Sequence, residues 1–504
     1  MPTRQLLATA AFSVSILVLS MLFRPFTSRL ISTTIMSTPN KHVIIVGAGL
    51  AGLSAASELV SRNVPVVILE RQQKPGGNSI KASSGINGVP TRFQVNSSDS
   101  VESFYNDTVR SVSPGVMKTM TEARQGLITV LTESSAPAIS WLVDDKGIDL
   151  SRVAELGGHS HPRTHRGAGQ TPPGASIVTT LLKQLQTTSL AKIETNSAVT
   201  KILKVKDEVV GVVVSHEGKT EKLEGPVIFA SGGFAGDSTG LLARHRPDLH
   251  GFPSTNEALP SSSDLLTEVG AQLLDMDQVQ VHPTGFVDPK EPFKVTKFLA
   301  AEVLRGEGGI LLRHGARFID EMQTRKVVTD AIMAEAPNTT EPIKQWDILL
   351  LLDEKTYEAT KSHVDFYLWK GLMQKTTISE LKNSDTALKS VQEYCDIVQG
   401  KKPDHLGKTY FGNWTLQDPK PDTVMYVGHV TPVVHYTMGG ALFSPEAEVL
   451  DSSGRAINGL WAAGEVTGGI HGANRLGGSS LLECVVFGRI AGRKAAEFVQ
   501  TKSK

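Results

Sequence analysis

Short apolar runs separated by glycine-rich or polar punctuation cover most of this chain. His42–Val46 is an apolar run rich in Val and Ile and predicts a strand. Ala51–Leu59 puts its apolar residues on one helical face, and Pro65–Leu69 predicts a second strand. Val101–Trp141 is mostly helical in pattern, and Gly157–Gly174 is a long loop. Val199–Ser215 alternates apolar and polar residues around a turn near Lys206-Asp207, and Val227–Ala230 is a buried strand ended by Ser231-Gly232-Gly233-Phe234. Pro283 to about Thr431 has a different texture, denser in charge, and predicts a second domain inserted into the first. Ser480–Val499 predicts a closing helix. The resulting divisions are 1–40, 41–281, 282–435 and 436–504, the second and fourth forming one interrupted domain.

The first forty residues carry Arg4, Arg24 and Arg29 and no Asp or Glu. Leu6–Phe23 holds eighteen uncharged residues, four of them Ser or Thr. As a helix it would be about 27 Å long, barely a membrane span. A signal peptide, a signal anchor and a mitochondrial presequence all fit. The expectation is import into the mitochondrion or endoplasmic reticulum, with membrane anchoring through residues 6–23. Translation from Met36 would give a cytosolic form.

Length and composition change the picture little. The 504 residues suffice for two or three domains, and the formal net charge of zero offers nothing to nucleic acid. Cys395 and Cys484 have no CxxC or CxxCH spacing, which excludes a c-type haem or a Cys-ligated cluster within the chain. Electrons therefore come from a separate donor.

The candidate chemistry starts at Gly47-Ala48-Gly49-Leu50-Ala51-Gly52, between the first strand and helix. The second strand ends in Glu70, eighteen residues past Gly52. Glycines there allow a tight turn and close approach of a pyrophosphate to a helix amino terminus, and the acid accepts from a ribose hydroxyl. An acid at that place repels a 2′-phosphate, so the pattern indicates FAD or NAD rather than NADP. Two small-residue loops follow, Gly76-Gly77-Asn78-Ser79 and Lys81–Asn87, suited to wrapping a flat ring. Near the other end, seven of the twenty residues in Gly464–Glu483 are Gly or Ala, and Arg475 sits among them. A guanidinium in a glycine-dense loop suits a carboxylate ligand. Taken singly, His282 before Pro283 reads as a loop residue, Glu302 and Arg305 as a helix-surface pair, and Arg325 as a surface residue. The basic stretch His159–Arg166 either lines the flavin side or is solvated.

In order along the chain stand Gly47–Gly52, Gly76-Gly77-Asn78-Ser79, His282-Pro283-Thr284-Gly285, Glu302-Val303-Leu304-Arg305-Gly306, Thr324-Arg325, His435-Tyr436-Thr437-Met438-Gly439-Gly440 and Gly464–Leu482. With these motifs the chain resembles the flavoprotein family of fumarate reductases and succinate dehydrogenases from about residue 42 to 495, and is most similar to its soluble fungal branch. The resemblance implies an α/β fold: a Rossmann-like FAD-binding domain with an inserted α+β clamp (capping) domain. It implies reduction of fumarate to succinate, with hydride from reduced flavin and a proton from Arg325, resupplied through Glu302 and Arg305. His282, His435 and Arg475 would bind the substrate carboxylates, His282 also counting among the catalytic residues. FAD would be held by Gly47, Ala48, Gly49, Leu50, Ala51, Gly52, Glu70, Arg71, Gly76, Gly77, Asn78 and Ser79. Further contacts would come from Ser83, Ser84, Gly85, Asn87, Ala230, Gly232, Gly233, Asp264, Glu465, Ser480 and Leu481. A sodium ion, where the family has one, would fall on Thr437, Met438, Gly439, Glu465 and Thr467. No His lies between Gly76 and Gly88, so the FAD is expected to be noncovalent.

Two departures stand out. Ala301 replaces a frequent Thr, and Ser262-Ser263-Asp264-Leu265 replaces a Thr-Gly-Asp-Gly element. Alternative readings are an aspartate oxidase-like or other FAD alkene reductase, and a non-catalytic flavin-binding protein. The electron donor would be reduced flavin or NADH-linked.

The chemistry can also be built from its needs. Reducing a dicarboxylate alkene requires a hydride, a proton, clamps for two carboxylates and exclusion of water. Cationic donors aimed at the developing charge are each worth about 3–4 kcal/mol. An arginine is an unusual acid, its free pKa lying above about 12; the role of Arg325 rests on the resemblance.

Overall fold

The computed structural model describes residues 42–95, 97–117 and 122–502. The targeting segment, the anchor at 6–23 and the start at Met36 lie outside the described residues. Among the described residues, no single helix is long and apolar enough to cross a membrane.

The first sheet is parallel at its centre. Strands run in the order Ala191–Glu194, Val66–Leu69, Val43–Val46, Val227–Phe229 and Ala456–Ala462. Ile45 pairs Ile68 on one side and Ile228 on the other. Parallel strands covered on both faces read as unbroken apolar runs, which is why Val43-Ile44-Ile45-Val46 shows no alternation. Ile45 packs into one apolar cluster with the helices Leu50–Ser61 and Ser479–Lys502, and Ile44 into another on the opposite face. The two helices approach closely because Gly488 and Gly492 face Ala51 and Ala55. A Cβ on either glycine would lie 2.5 Å from a carbonyl oxygen. The predicted hairpin appears as Ser197–Val205 and Glu208–His216, with Lys206 in the left-handed region at φ +54°. The α/β class and the Rossmann-like parallel sheet match the expectation.

A second sheet of six strands is antiparallel. Val279–Phe286 pairs Val424–Thr437, followed by Ile348–Leu352, Ile310–Arg313 and Ala316–Arg317, with Gln374–Thr377 also on Val424–Thr437. Its first strand carries His282, which corrects the loop reading of that residue. Pro283 is tolerated there because the register shifts between His282 and Gly285. A smaller ribbon of Leu273–Leu274, Gly440–Leu442 and Thr467–Gly468 leads into the glycine-dense loop.

The stretch Gly157–Gly174 is not a bare loop. Thr164–Arg166 pairs with its near neighbour Arg152–Ala154 and with Ile86–Asn87, which is too distant in sequence to be read locally. Nor is its basic part solvated: Arg163 is fully buried and ion-paired to Asp99 and Asp107 at 2.6 Å each.

Candidate active site

The glycine turn is a cradle of backbone. Gly47 has φ +105°, and a Cβ there would sit 2.3 Å from the Ala230 carbonyl oxygen. A Cβ on Gly52 would sit 2.1 Å from the Gly47 oxygen. Gly49 differs, because its Cβ would face open space with only Ser79 Oγ near, at 3.9 Å. Gly232, beyond the neighbouring strand, likewise opens on nothing within 4 Å. The helix Leu50–Ser61 starts at Gly49 with no side-chain cap, so its amino-terminal N–H groups remain for a ligand, and only Leu50 N–H reaches Ser79 Oγ, at 3.3 Å. Glu70 holds the turn: its carboxylate accepts from Ala48 N–H at 3.0 Å and Gln72 N–H at 2.9 Å. An open cradle of glycines over a helix amino terminus, with an acid beside it, fits a dinucleotide pyrophosphate and ribose.

The flavin-side loops are anchored from across the molecule. Ser84 Oγ accepts from Glu302 N–H at 3.1 Å, and Ser83 O accepts from His363 Nε2 at 2.8 Å. Gly85 has φ +135° against the His165 carbonyl. Asn87 donates to Gly477 O at 2.8 Å and Ser479 Oγ at 3.0 Å, tying this loop to the start of the closing helix, where Ser480 and Leu481 lie. Asn78 hydrogen-bonds Asn256, Arg71 donates to Pro260 O, and Gly233 abuts Thr437 and Glu465. Gly76 and Gly77 turn through positive φ between them. Asp264 stands apart: it faces Arg244 at 3.6 Å on the surface and bonds none of the other site residues.

The side-chain pocket is built from five separated segments. Arg325 opens the helix Arg325–Met333, and Thr324 caps it by accepting from Val327 N–H. The Arg325 guanidinium donates from Nε to Glu302 Oε2 at 2.8 Å, from Nη2 to the same oxygen, and from Nη1 to Gln280 Oε1 at 2.9 Å. The other oxygen of Glu302 accepts from Arg305 Nη2 at 3.2 Å. Glu302, Arg305 and Arg325 are all buried, which overturns the surface readings of the isolated residues. Burial alone would raise the Glu302 carboxyl, but the Arg325 and Arg305 guanidiniums outweigh it and hold it below its ordinary value. Burial lowers Arg305. A Cβ on Gly477 would lie 2.5 Å from Glu302 Oε2, so the glycine-dense loop passes directly over this pair.

Arg475 comes from that loop. Its Nη2 donates to Gln280 Oε1 at 3.1 Å and its Nη1 to Leu476 O at 3.2 Å, while its buried Nε has no partner. Its Cζ lies 4.1 Å from the Tyr436 ring centre. Burial, then the nearby Arg325, pushes its pKa down to about 10, still far above neutrality. His282 and His435 stand edge to face, ring centres 5.3 Å apart. His282 Nδ1 accepts from Thr284 N–H at 3.2 Å, so in the neutral ring the proton sits on Nε2, a buried donor with no protein partner. His435 Nδ1 bonds Thr255 Oγ1 at 2.9 Å. Burial and then Arg325 hold both imidazoles well below the usual value, so both are neutral. Arg325 and Arg305 thus share the Glu302 carboxylate, while Arg475 meets Arg325 only on the uncharged Gln280 oxygen and keeps a free donor for an anion.

Gln280 was missed by sequence reasoning, although its single side-chain oxygen joins Arg325 to Arg475. The signal was available: it is a polar residue in an apolar strand, two before His282. Ala301 has Tyr367 beside it, whose hydroxyl accepts from Ala301 N–H at 3.2 Å and donates to Leu299 O at 3.1 Å. Of the residues named for sodium, Thr437 and Glu465 bond each other and the rest contact neighbouring backbone. Thr437 N–H and hydroxyl donate to Glu465 Oε1 at 3.0 and 3.2 Å, Thr467 donates to Gly464 O at 2.8 Å, and Met438 N–H bonds Gln278 O. Gly439 packs against Asp275. Burial raises Glu465 to about 7. Among the described residues, no group of three or more His, Cys, Asp or Glu is placed to hold a metal.

Comparison with known proteins adds an independent line. Residues 42–481 match the family described as FAD binding domain. The chain is 45% identical over 476 residues to fumarate reductase 1 of Saccharomyces cerevisiae, covering 90% of this chain and 98% of that protein. It is 39% identical over 484 residues to a fumarate reductase of Schizosaccharomyces pombe, covering 92% and 90%. Among solved structures, the open conformation of a flavocytochrome c3 fumarate reductase is similar at TM-score 0.70 and 31% identity, covering 92% of this chain and 79% of that one.

Proposed function

The chain belongs to the FAD binding domain family, among its fumarate reductases, and on that premise we propose that it reduces fumarate to succinate, with Arg325 as the proton donor. FAD held in the glycine cradle and reduced by the external donor would supply the hydride. The observation that carries the reading is a pair of buried guanidiniums with donors to spare: Arg475 and Arg325 meet on one uncharged oxygen of Gln280, and no carboxylate hydrogen-bonds Arg475. The Arg475 and Arg325 guanidiniums and the free Nε2–H of His282 suit two carboxylates. His282, His435 and Arg475 hold the substrate and draw charge toward the carboxylate next to the developing carbanion. Arg325 gives up a proton to that carbon, and Glu302, bonded to both guanidiniums, returns one from Arg305. Burial of His282, Glu302, Arg305, Arg325 and Arg475 keeps water from the reacting groups.

The FAD is read as noncovalent, because no His lies between Gly76 and Gly88. Acid-precipitated protein should then release its yellow colour, and colour kept in the pellet contradicts the reading. The donor is read as reduced flavin or an NADH-linked reductant. The acid-free, apolar first forty residues support import into the mitochondrion or endoplasmic reticulum, with residues 6–23 as an anchor and a cytosolic form from Met36. A reporter fused to residues 1–40 that stayed wholly cytosolic would overturn that. The function itself is tested by anaerobic turnover of FAD-loaded protein with fumarate, comparing NADH with reduced FMN or FAD. Failure to form succinate with any donor refutes it.

A further inference from the structure

We infer that Tyr436, Glu483 and His471 form a buried support that positions the Arg475 guanidinium while leaving its charge unspent for a substrate carboxylate. The inference rests on the reading of Arg475 as a substrate clamp and adds three residues to it.

The three come from three elements. Tyr436 lies in the strand Val424–Thr437, His471 in the glycine-dense loop, and Glu483 in the closing helix. The Glu483 carboxylate bonds the Tyr436 hydroxyl through Oε1 and His471 Nε2, at 2.7 Å, through Oε2. All three side chains are buried. His471 and Glu483 flank Arg475 in sequence, so their bond closes the loop that carries it. From outside, Arg124 fixes His471 by donating to its carbonyl at 3.2 Å, and Arg124 is itself paired to Asp275 at 2.7 Å. The Tyr436 ring is the floor under the guanidinium, 4.1 Å from Cζ. Burial and the Glu483 carboxylate hold the Tyr436 phenol well above its ordinary value, so it remains a donor.

The arrangement solves a conflict. A buried guanidinium is costly without compensating charge, yet a direct carboxylate partner would occupy the donors that the substrate needs. Here the carboxylate stands one ring behind. It reaches Arg475 only through space, and the ring face offers electrostatic attraction without accepting a hydrogen bond. Arg475 therefore keeps a free Nε and makes neutral contacts only. A purely structural role for Tyr436 would predict loss of stability without a selective effect on substrate affinity.

The test uses full-length, FAD-loaded protein and steady-state kinetics with fumarate. Tyr436→Leu removes the ring and should raise KM about tenfold, with flavin content unchanged and a smaller effect on kcat. Tyr436→Phe keeps the ring and should restore most of the affinity. Glu483→Gln should raise KM by about threefold. In an Arg475→Ala background, Tyr436→Leu should add nothing, because the support acts through the missing guanidinium. A KM within about twofold of wild type in Tyr436→Leu, or the same factor in both backgrounds, overturns the inference. If Tyr436→Leu does not hold flavin, the same comparison is read on Tyr436→Phe and Glu483→Gln: equal effects with and without Arg475 overturn it, and effects only with Arg475 support it. If Arg475→Ala leaves KM unchanged, the clamp reading falls and takes this inference with it. If Arg475→Ala loses affinity while Tyr436→Leu does not, the inference alone falls.

Discussion

The cradle around Gly47–Gly52 is made of backbone, whereas the pocket around Arg325 is made of side chains. The cradle residues lie next to one another in sequence and exclude side-chain atoms: a Cβ at Gly52 has only 2.1 Å to the Gly47 oxygen. The pocket residues arrive from two strands, two helix ends and one loop, and are fixed by hydrogen bonds over separations such as 45 and 195 residues. The backbone site tolerates no added atom at Gly47 or Gly52, while a side-chain site fails group by group. The two halves should therefore break differently under substitution, and the difference can be measured.

The largest effect is expected in the cradle. Gly52→Val should abolish FAD binding and leave purified protein colourless, since the added atoms collide with backbone that cannot move aside. A yellow, active Gly52→Val protein would remove the distinction between the halves.

Next comes Arg325→Ala. It should keep FAD and bind fumarate, yet lose nearly all turnover, because only the transition state needs the proton. Retention of more than about a tenth of wild-type kcat, a loss under roughly 1.4 kcal/mol, would transfer the acid role to another group. The candidates would be His282, His435 and Arg305.

Arg475→Ala should cost affinity and rate together, about a hundredfold in kcat/KM, because a carboxylate clamp serves ground and transition states alike. A loss confined to kcat would sharpen the comparison differently, making Arg475 a transition-state group like Arg325.

Glu302→Gln should be milder still. The amide keeps one acceptor for Arg325 and Arg305 but carries no charge, so turnover should slow by about tenfold with KM little changed. Unchanged kcat would mean that Arg325 regains its proton by another route.

The smallest effect concerns pH. His282 and His435 are held neutral by burial and the neighbouring guanidiniums, so fumarate KM should show no break near 6.5. Their depressed values also work on stability. The unfolded chain binds protons at these residues below about 6.5 while the folded one does not, so the contribution present above that pH is lost as pH falls. The expected readout is a melting temperature that falls more steeply on acidification in wild type than in His282→Asn. An identical slope would mean that His282 titrates normally.

Sequence legibility follows the same division. The strand–turn–helix–strand–acid order from His42 to Glu70 is local, so glycine spacing and apolar runs revealed it, as they revealed the hairpin around Lys206. Arg325 and the Glu302–Arg305 pair carried no local sign of their depth, and only the motif order suggested a role. Gln280 carries no local sign that it joins two arginines, and the burial of Arg163 follows from Asp99 and Asp107, which are more than fifty residues away in sequence. Asp264 was named for a motif position and is found paired to Arg244 at the surface.

By itself the sequence determined the parallel sheet, the dinucleotide turn and the identity of the charged groups. Those depend on period, spacing and residue type, which act over a few residues. The tertiary structure alone decided that Arg305 and Arg325 would share one carboxylate, that His282 would present a free Nε2–H, and that Arg475 would rest on Tyr436 rather than on Glu483. Charge balance and hydrogen-bond completion in a buried pocket depend on distances between segments remote in sequence, and packing sets those distances.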